Sequence, residues 1–237
     1  MKTGQISSSF TDLIKSKFSV KIRKLIETSG TQVILVPSLL DIHHPDFVFP
    51  QAAFDPAELD LPDSVLMYPN PVLFYVNEVA LGFTNNDVLF HLSNEETSRG
   101  VTGNKINRLA SYVIDQRCFY PLFPPRTGAN LELPMLPKLD LPVTPDVMFF
   151  PSTVAPFAKD VDGVLCVNPG KLTKAQQGGT YSKITILPFK KTGLGSLFVL
   201  HFSSSSHTLL LLTEIPEGKT PMLNRVSERA QVEVIRL

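Results

Sequence analysis

Four potential metal ligands fall within six residues at Asp41, His43, His44 and Asp46. They follow the apolar run Gln32–Pro37, and loops at the carboxyl ends of strands are where α/β proteins place their active sites. Adjacent side chains on an extended loop point apart, so His43 and His44 rarely reach one ion together. No second histidine cluster completes a shell, because His91, His201 and His207 stand alone. The residue types favour a loop anchored by imidazole and carboxylate hydrogen bonds. A second stretch is Asn168-Pro169-Gly170-Lys171-Leu172-Thr173-Lys174, followed by Gly178-Gly179. Backbone N–H groups in such a glycine-containing turn, with two lysines, could cradle a phosphate; a tight turn between strands is the alternative. The spacing is not that of a P-loop. No G-x-S-x-G occurs, so a hydrolase nucleophile elbow is unsupported. Cys118 and Cys166 are the two cysteines, too few for a four-thiolate zinc site. Cys166, in an apolar run, reads as a buried inert thiol.

The elements that must position these residues are legible in the hydrophobic pattern. Phe10, Ile14, Phe18, Ile22, Leu25 and Ile26 form a stripe at helical period, predicting a helix over 10–28 capped by Ser7–Ser9 and ended by Gly30. Gln32–Pro37 reads as a short buried parallel strand. Asp41–Pro62 is a long loop with four prolines. Pro71–Val76 and Val79–Thr84, joined at Asn77-Glu78, predict a hairpin. A second helix is expected over 104–117, with Ile106, Leu109, Ala110, Val113 and Ile114 inward. Further strands are expected at Asp146–Phe150, Gly163–Val167, Thr180–Leu187 and Ala230–Leu237. Helices alternating with strands and late antiparallel hairpins imply an α/β class, a mixed sandwich with a largely buried sheet.

The 237 residues carry 22 basic and 22 acidic side chains, so net charge is zero. That argues against holding nucleic acid by bulk charge. Sixteen phenylalanines and a hydrophobic share of 43% exclude a disordered chain. Twenty prolines point to interrupted elements and rigid loops rather than a helix bundle. The opening MKTGQISSSF has no signal-peptide core, which predicts an intracellular chain. The apolar stretch Leu194–Leu212 is broken by His201, His207 and serines, so no membrane span is expected. Charge is segregated: residues 41–96 hold ten acidic side chains and no Lys or Arg, and residues 171–193 hold five lysines and no acid. An acidic surface for a basic partner is one reading, ordinary solvated loops the other.

Several ordered stretches resemble a known family: VPSLLDIHHPDFVFPQAAF (36–54), TNNDVLFHLSNEE (84–96), QRCFYPLFPP (116–125), LPVTPDVMFFPS (141–152), DGVLCVNPGKLTKAQQGGTYSKITI (162–186) and the closing AQVEVIRL (230–237). They are similar to the carboxyl-terminal part of the accessory B subunits of DNA polymerase alpha, the non-catalytic second subunits of the polymerase–primase assembly. The run VNPGKLTK…GGT is the most specific, and the likeness covers about residues 10–190 and the final strand. It implies a calcineurin-like phosphoesterase fold: here a partial, inactivated domain, a mixed β-sandwich flanked by helices, with the N-terminal strands missing. In active archaeal relatives with two metals, a strand ends in P-G-N-H-D. The equivalent positions here are Pro37-Ser38-Leu39-Leu40-Asp41, so the ligand Asn falls on Leu39 and the catalytic His on Leu40. A G-H-x-H expected after Asp146–Phe150 is replaced by Pro151-Ser152-Thr153-Val154. Leucine has no lone pair for a metal, and two-metal hydrolysis needs both ions clamped ~3.5–4 Å apart.

The resemblance therefore implies no metal, no cofactor and no catalysis. The degenerate positions are Leu39, Leu40, Asp41, Ser152 and Thr153; His43, His44, Asn168, Pro169, Gly170, Lys171, Gly178 and Gly179 are the family-motif residues. It implies a nuclear scaffold binding the carboxyl-terminal zinc region of the polymerase catalytic subunit, with primase reached through the complex. DNA would be met at most indirectly. The alternative is a metal-dependent phosphodiesterase or nuclease of the same fold; a third reading has Lys171, Lys174, Lys183, Lys190 and Lys191 with Tyr181 and Phe189 holding single-stranded DNA. Residues 1–237 are expected to be the carboxyl-terminal portion of the phosphoesterase-like domain, a fragment of weak stability alone because missing strands expose sheet edges. A flexible insertion is expected at 192–228.

Overall fold

The computed structural model describes residues 9–174, 177–187, 197–204, 208–215 and 226–237. The chain opens on one helical rod in three parts: α1 (Phe10–Leu13), a π-helical stretch Ile14–Ser19, and α2 (Val20–Ser29). A reciprocal capping box starts it, Asp12 N–H donating to Ser9 Oγ and Ser9 N–H to Asp12, each at 3.1 Å. Gly30, at φ +63°, stops it, its N–H bonded to Ile26 O at 2.9 Å. Then come β1 (Gln32–Val36), the short helix α3 (Pro56–Leu59), β2 (Leu66–Met67), and the hairpin β3 (Val72–Val76) and β4 (Val79–Phe83). Helices α4 (Val88–Glu95) and α5 (Lys105–Asp115) follow, each with a side-chain cap, from Asp87 and Asn104. A 3₁₀ stretch Leu133–Leu139 leads to β5 (Val147–Phe149), β6 (Phe157–Val161) and β7 (Val164–Asn168). The two-residue strands β8 (Thr173–Lys174) and β9 (Gln177–Gly178) precede β10 (Thr180–Ile186), β11 (Leu197–Ser204), β12 (Thr208–Ile215), α6 (Val226–Arg229) and β13 (Ala230–Arg236).

Among the described residues two large sheets result, ordered β13-β10-β11-β12-β1-β2 and β3-β4-β5-β7-β6, beside a two-stranded one, β8-β9. Period-two alternation splits their side chains between layers. Ile34 and Val36 of β1, Val147 and Phe149 of β5, Leu165 and Val167 of β7, and Ile184 and Ile186 of β10 share the core between the sheets. The alternate residues Met148, Phe150, Val164 and Cys166 pack outward on α4 and α5. Val33 and Leu35 pack outward on Ile22, with Ile14, Phe18 and Ile26 of the first helix. The architecture is therefore a mixed α/β sandwich with helices on both outer faces, as the sequence implies. Among the described residues, no helix is long and apolar enough to cross a membrane.

Several expectations need correcting. The β1 strand is not purely parallel: it pairs parallel with two residues of β2 and antiparallel with β12 along its length. Strands β11 and β12 lie within 192–228, where a flexible loop is expected, and they bridge β10 to β1. Only backbone pairing shows this; the serine and leucine runs there mask a strand pattern. Residues 188–196, 205–207 and 216–225, with Phe189, Lys190 and Lys191, lie outside the described residues. Helix α4 and strand β6 are absent from the sequence reading. Phe10, placed on the buried stripe, is 47% exposed; the π-helical stretch after it shifts the rotation of the first turn relative to the rest.

Candidate functional site

Strands β4, β5 and β7 are neighbours and run parallel, so the loops after them leave the same sheet edge. The loop after β1 joins them there. Together they line a cavity of about 550 Å³. Leu39 and Leu40 come from the β1 loop, Asn85–Asp87 from the β4 loop, Ser152 and Thr153 from the β5 loop, and Lys171 and Thr173 from beyond β7. Of the five positions expected to be degenerate, four meet at this cleft. Asp41 does not; it lines the neighbouring groove against the first helix with Ile42 and His43.

The oxygen donors present are already engaged. Asp87, missed by the sequence reading, accepts from Ser152 Oγ at 2.5 Å, Thr153 N–H at 2.8 Å, Thr153 Oγ1 at 2.7 Å and Phe90 N–H at 3.2 Å. A carboxylate offers about four lone-pair directions, so its capacity is filled. The hydroxyls of Ser152 and Thr153 thus stitch the β5 loop to the cap of α4. The signal was available: Asn-Asn-Asp between a strand and an apolar run is a helix-start pattern. Asp41 is buried and turned into its own loop, accepting from His43 N–H at 2.9 Å while its N–H donates to Ser38 O at 3.0 Å. Among the described residues no group of three His, Cys, Asp or Glu is placed to hold a metal ion. The donor set does not fit a two-metal centre: at Leu39 and Leu40 it offers carbon, and at Asp87 an oxygen pair with no direction free.

The two histidines diverge. His44 is buried; its Nδ1 lies 3.0 Å from Asp46 N and 3.1 Å from Asp46 O, and its Nε2 lies 2.9 Å from Ala52 O. The His43 ring pairs through Nδ1 with Thr11 Oγ1 at 3.2 Å and faces Glu58 at 3.8 Å. Both brace the loop, and Gln51 Nε2 adds bonds to Ser38 O at 3.2 Å and Asp46 O at 2.8 Å. His91, on the cleft wall, pairs with the Tyr120 hydroxyl at 3.0 Å. Burial, then the Arg126 guanidinium, push its imidazole below the ordinary histidine range, against a smaller pull from Asp87 and Glu95. Burial raises the Tyr120 hydroxyl. It also raises both thiols, at Cys118 and, strongly, at buried Cys166, so neither is a ready nucleophile.

The glycine-containing stretch after β7 is a closed turn. Asn168, fully buried, accepts from Ser152 N–H at 3.2 Å and Gly170 N–H at 2.9 Å and donates to Val154 O and Ala155 O. Pro169 O accepts from the Thr180 hydroxyl at 2.7 Å. Gly170 sits at φ +75°, where a Cβ would strike Thr180 and Pro156; one at Gly179 would strike the backbone of Lys171 and Leu172. Gly178 ends β9 against Leu237. Gly179 N–H and Thr180 N–H bond Leu172 O and Lys171 O at 2.8 Å each. Three backbone donors a phosphate would use are thus spent inside the turn, while Lys171 remains exposed at the cleft.

Known proteins share this sequence over most of its length. The sequence model of the family described as the B subunits of DNA polymerases alpha and epsilon matches residues 2–159. The B subunit of DNA polymerase alpha from Schizosaccharomyces pombe is 35% identical over 206 residues, spanning 83% of this chain and 35% of its own length. That of Mus musculus is 37% identical over 187 residues, 76% of this chain and 30% of its own length. That of Saccharomyces cerevisiae is 27% identical over 191 residues, 65% of this chain and 27% of its own length. This chain thus spans about a third of the length of the curated relatives it matches. With the family model covering well over half its residues, the chain belongs to the family of DNA polymerase alpha and epsilon B subunits.

Proposed function

We propose that this chain serves as the carboxyl-terminal portion of an accessory subunit of DNA polymerase alpha–primase, a non-catalytic scaffold that binds the carboxyl-terminal region of the catalytic subunit in the nucleus during initiation of DNA replication. Its family membership supports the accessory role. The observation that supports the non-catalytic reading is the cleft itself: it presents carbon at Leu39 and Leu40, the positions the resemblance aligns with a ligand Asn and a catalytic His, and Asp87 spends its carboxylate on loop hydrogen bonds. In this reading the phosphoesterase-like domain has been retained as a shaped, rigid body after its chemistry was lost. Pull-down with the carboxyl-terminal tail of the catalytic subunit tests the scaffold role: stoichiometric capture is expected, and no capture by the full-length parent overturns it. The rival enzyme reading is tested by manganese-dependent turnover of a generic phosphodiester. None is expected; turnover abolished by Asp41→Ala would replace the scaffold reading with a nuclease.

A further inference from the structure

The five-stranded sheet ends on β3, which has β4 as its one strand neighbour among the described residues. Its register sets Val76 opposite Val79 across the Asn77-Glu78 turn, both turn residues at positive φ. A two-residue primed turn closes on a hydrogen-bonded pair, and bonded and non-bonded pairs then alternate along the ladder. Val76, Phe74 and Val72 therefore exchange backbone bonds with β4, while Leu73 and Tyr75 turn their N–H and C=O groups the other way. The far side of β4 agrees. Ala80, opposite Tyr75, gives its N–H to the Asp146 carboxylate, and its C=O accepts from Asp146 N–H, each at 2.8 Å. Among the described residues, no loop or side-chain bond takes up the outward backbone groups of Leu73 or Tyr75.

An open edge invites another strand unless charge, proline or shortness guards it. The other edges are guarded. β6 carries Lys159 and Asp160, β13 carries Glu233 and Arg236, and β2 has two residues. β3 reads VLFYV, with no charge and no proline, and its Tyr75 is 59% exposed. The strand is also complementary to itself. Leu73 and Tyr75 flank Phe74 symmetrically, so a twofold axis at Phe74 sets Leu73 of each copy opposite Tyr75 of the other. Both become hydrogen-bonded pairs of an antiparallel ladder, which makes four backbone bonds. The phenol ring of Tyr75 meets Leu73, and Val72 meets Val76, the apolar cross-strand pairs that stabilise a sheet. At the flanks Asn70-Pro71 faces Asn77-Glu78, so no like charges meet. A foreign strand would use the same backbone groups, but nothing along β3 selects its sequence. Five residues a side fall well short of the ~20–30 of a standard interface, so the association is weak.

We propose that the β3 edge joins two copies of this chain by antiparallel β3–β3 pairing about a twofold axis at Phe74, so that one continuous sheet runs across both. The pairing does not rest on the scaffold reading.

Sedimentation equilibrium of the 237-residue chain from about 10 μM to about 500 μM should show monomer giving way to dimer. Tyr75→Lys puts a charge opposite each Leu73 and should weaken the dimer about tenfold or more. Val234→Lys, an exposed position on the β13 edge, should leave it unchanged. Melting midpoints of both variants close to that of the unsubstituted chain show that they are folded. The register is read separately, by oxidising a mixture of Val72→Cys and Val76→Cys chains with oxidised glutathione. Peptide mass mapping should find disulfides joining position 72 to position 76, and none joining 72 to 72 or 76 to 76. A monomer throughout overturns the pairing, as does a dimer that keeps full affinity in Tyr75→Lys or loses it equally in Val234→Lys. Links in another register overturn it too. So does a monomer whose affinity for the polymerase alpha catalytic polypeptide falls with Tyr75→Lys, which would give the edge to a foreign strand. The scaffold reading survives each of these outcomes.

Discussion

Asp87 shows how a carboxylate at the mouth of a sheet can be structural rather than catalytic. Four donors converge on it from two loops and a helix end. Asp87→Ala would strip the partners of both Ser152 and Thr153 and the cap of α4. Because the site borders a cleft where water can partly substitute, the expected cost is about 2 kcal/mol, within the range for charged hydrogen bonds. Urea denaturation checks it, and a change under about 0.5 kcal/mol would mean the network is dispensable. His91 carries the opposite lesson. Burial holds its folded-state imidazole below the ordinary value. Below about pH 6.5 the unfolded chain therefore binds this proton more readily than the folded one. Stability should fall as pH drops from there through the folded value, and His91→Gln should flatten that slope. Denaturation midpoints from about pH 7.5 to about pH 5 on both proteins decide it: parallel curves sink the assignment.

At the scale of elements, the β3–β4 hairpin is the most informative. Both turn residues, Asn77 and Glu78, have positive φ, at 44° and 71°. That is the backbone a two-residue primed turn demands, and it matches the twist of the strands. Asparagine tolerates it; glutamate does not do so readily. Glu78→Gly should raise stability by about 1 kcal/mol, outweighing the few tenths an exposed side chain contributes and the added freedom of glycine when unfolded. Thermal melting reads the sign, and a lower midpoint refutes the strain argument. The hairpin, the first helix and α5 were legible because each has a repeating pattern and a local stop signal. Helix α4 and strand β6 were not. In α4 the buried set Val88, Leu89 and Leu92 covers little more than one turn, too short a window for periodicity to assign. β6, FAKDV, buries only its two ends, Phe157 and Val161, beside β7.

For the whole molecule, the two sheets meet across a core rich in phenylalanine. Phe149 is fully buried and 6.1 Å from Phe83, centroid to centroid. Phe149→Ala should cost about 4 kcal/mol, transfer and cavity together. Against a typical domain stability of about 5–15 kcal/mol, this one change should bring the chain close to unfolding at physiological temperature. Denaturant unfolding measures it, and a loss below about 1 kcal/mol would show that the sheets do not pack as described. Four layers also explain why the cleft is rigid. Its floor is made of strand ends clamped on both faces, so the loops above inherit little freedom.

The sequence alone determined the mixed α/β class of this protein and the lack of donor atoms at Leu39 and Leu40. Side-chain period and turn residues are local properties, and a leucine has no donor whatever surrounds it. The pairing of His44 with its own loop also follows from neighbours two and eight residues away. Only the tertiary structure decided which side chains meet at the cleft. Asp87 reaches Ser152 and Thr153 across more than sixty residues of chain. Leu40, Asn86 and Lys171 share one cleft because the chain after β1, in one sheet, and after β4 and β7, in the other, opens on the same side. Such meetings depend on which strands pair, and strand pairing is set by the burial of whole faces rather than by any one segment.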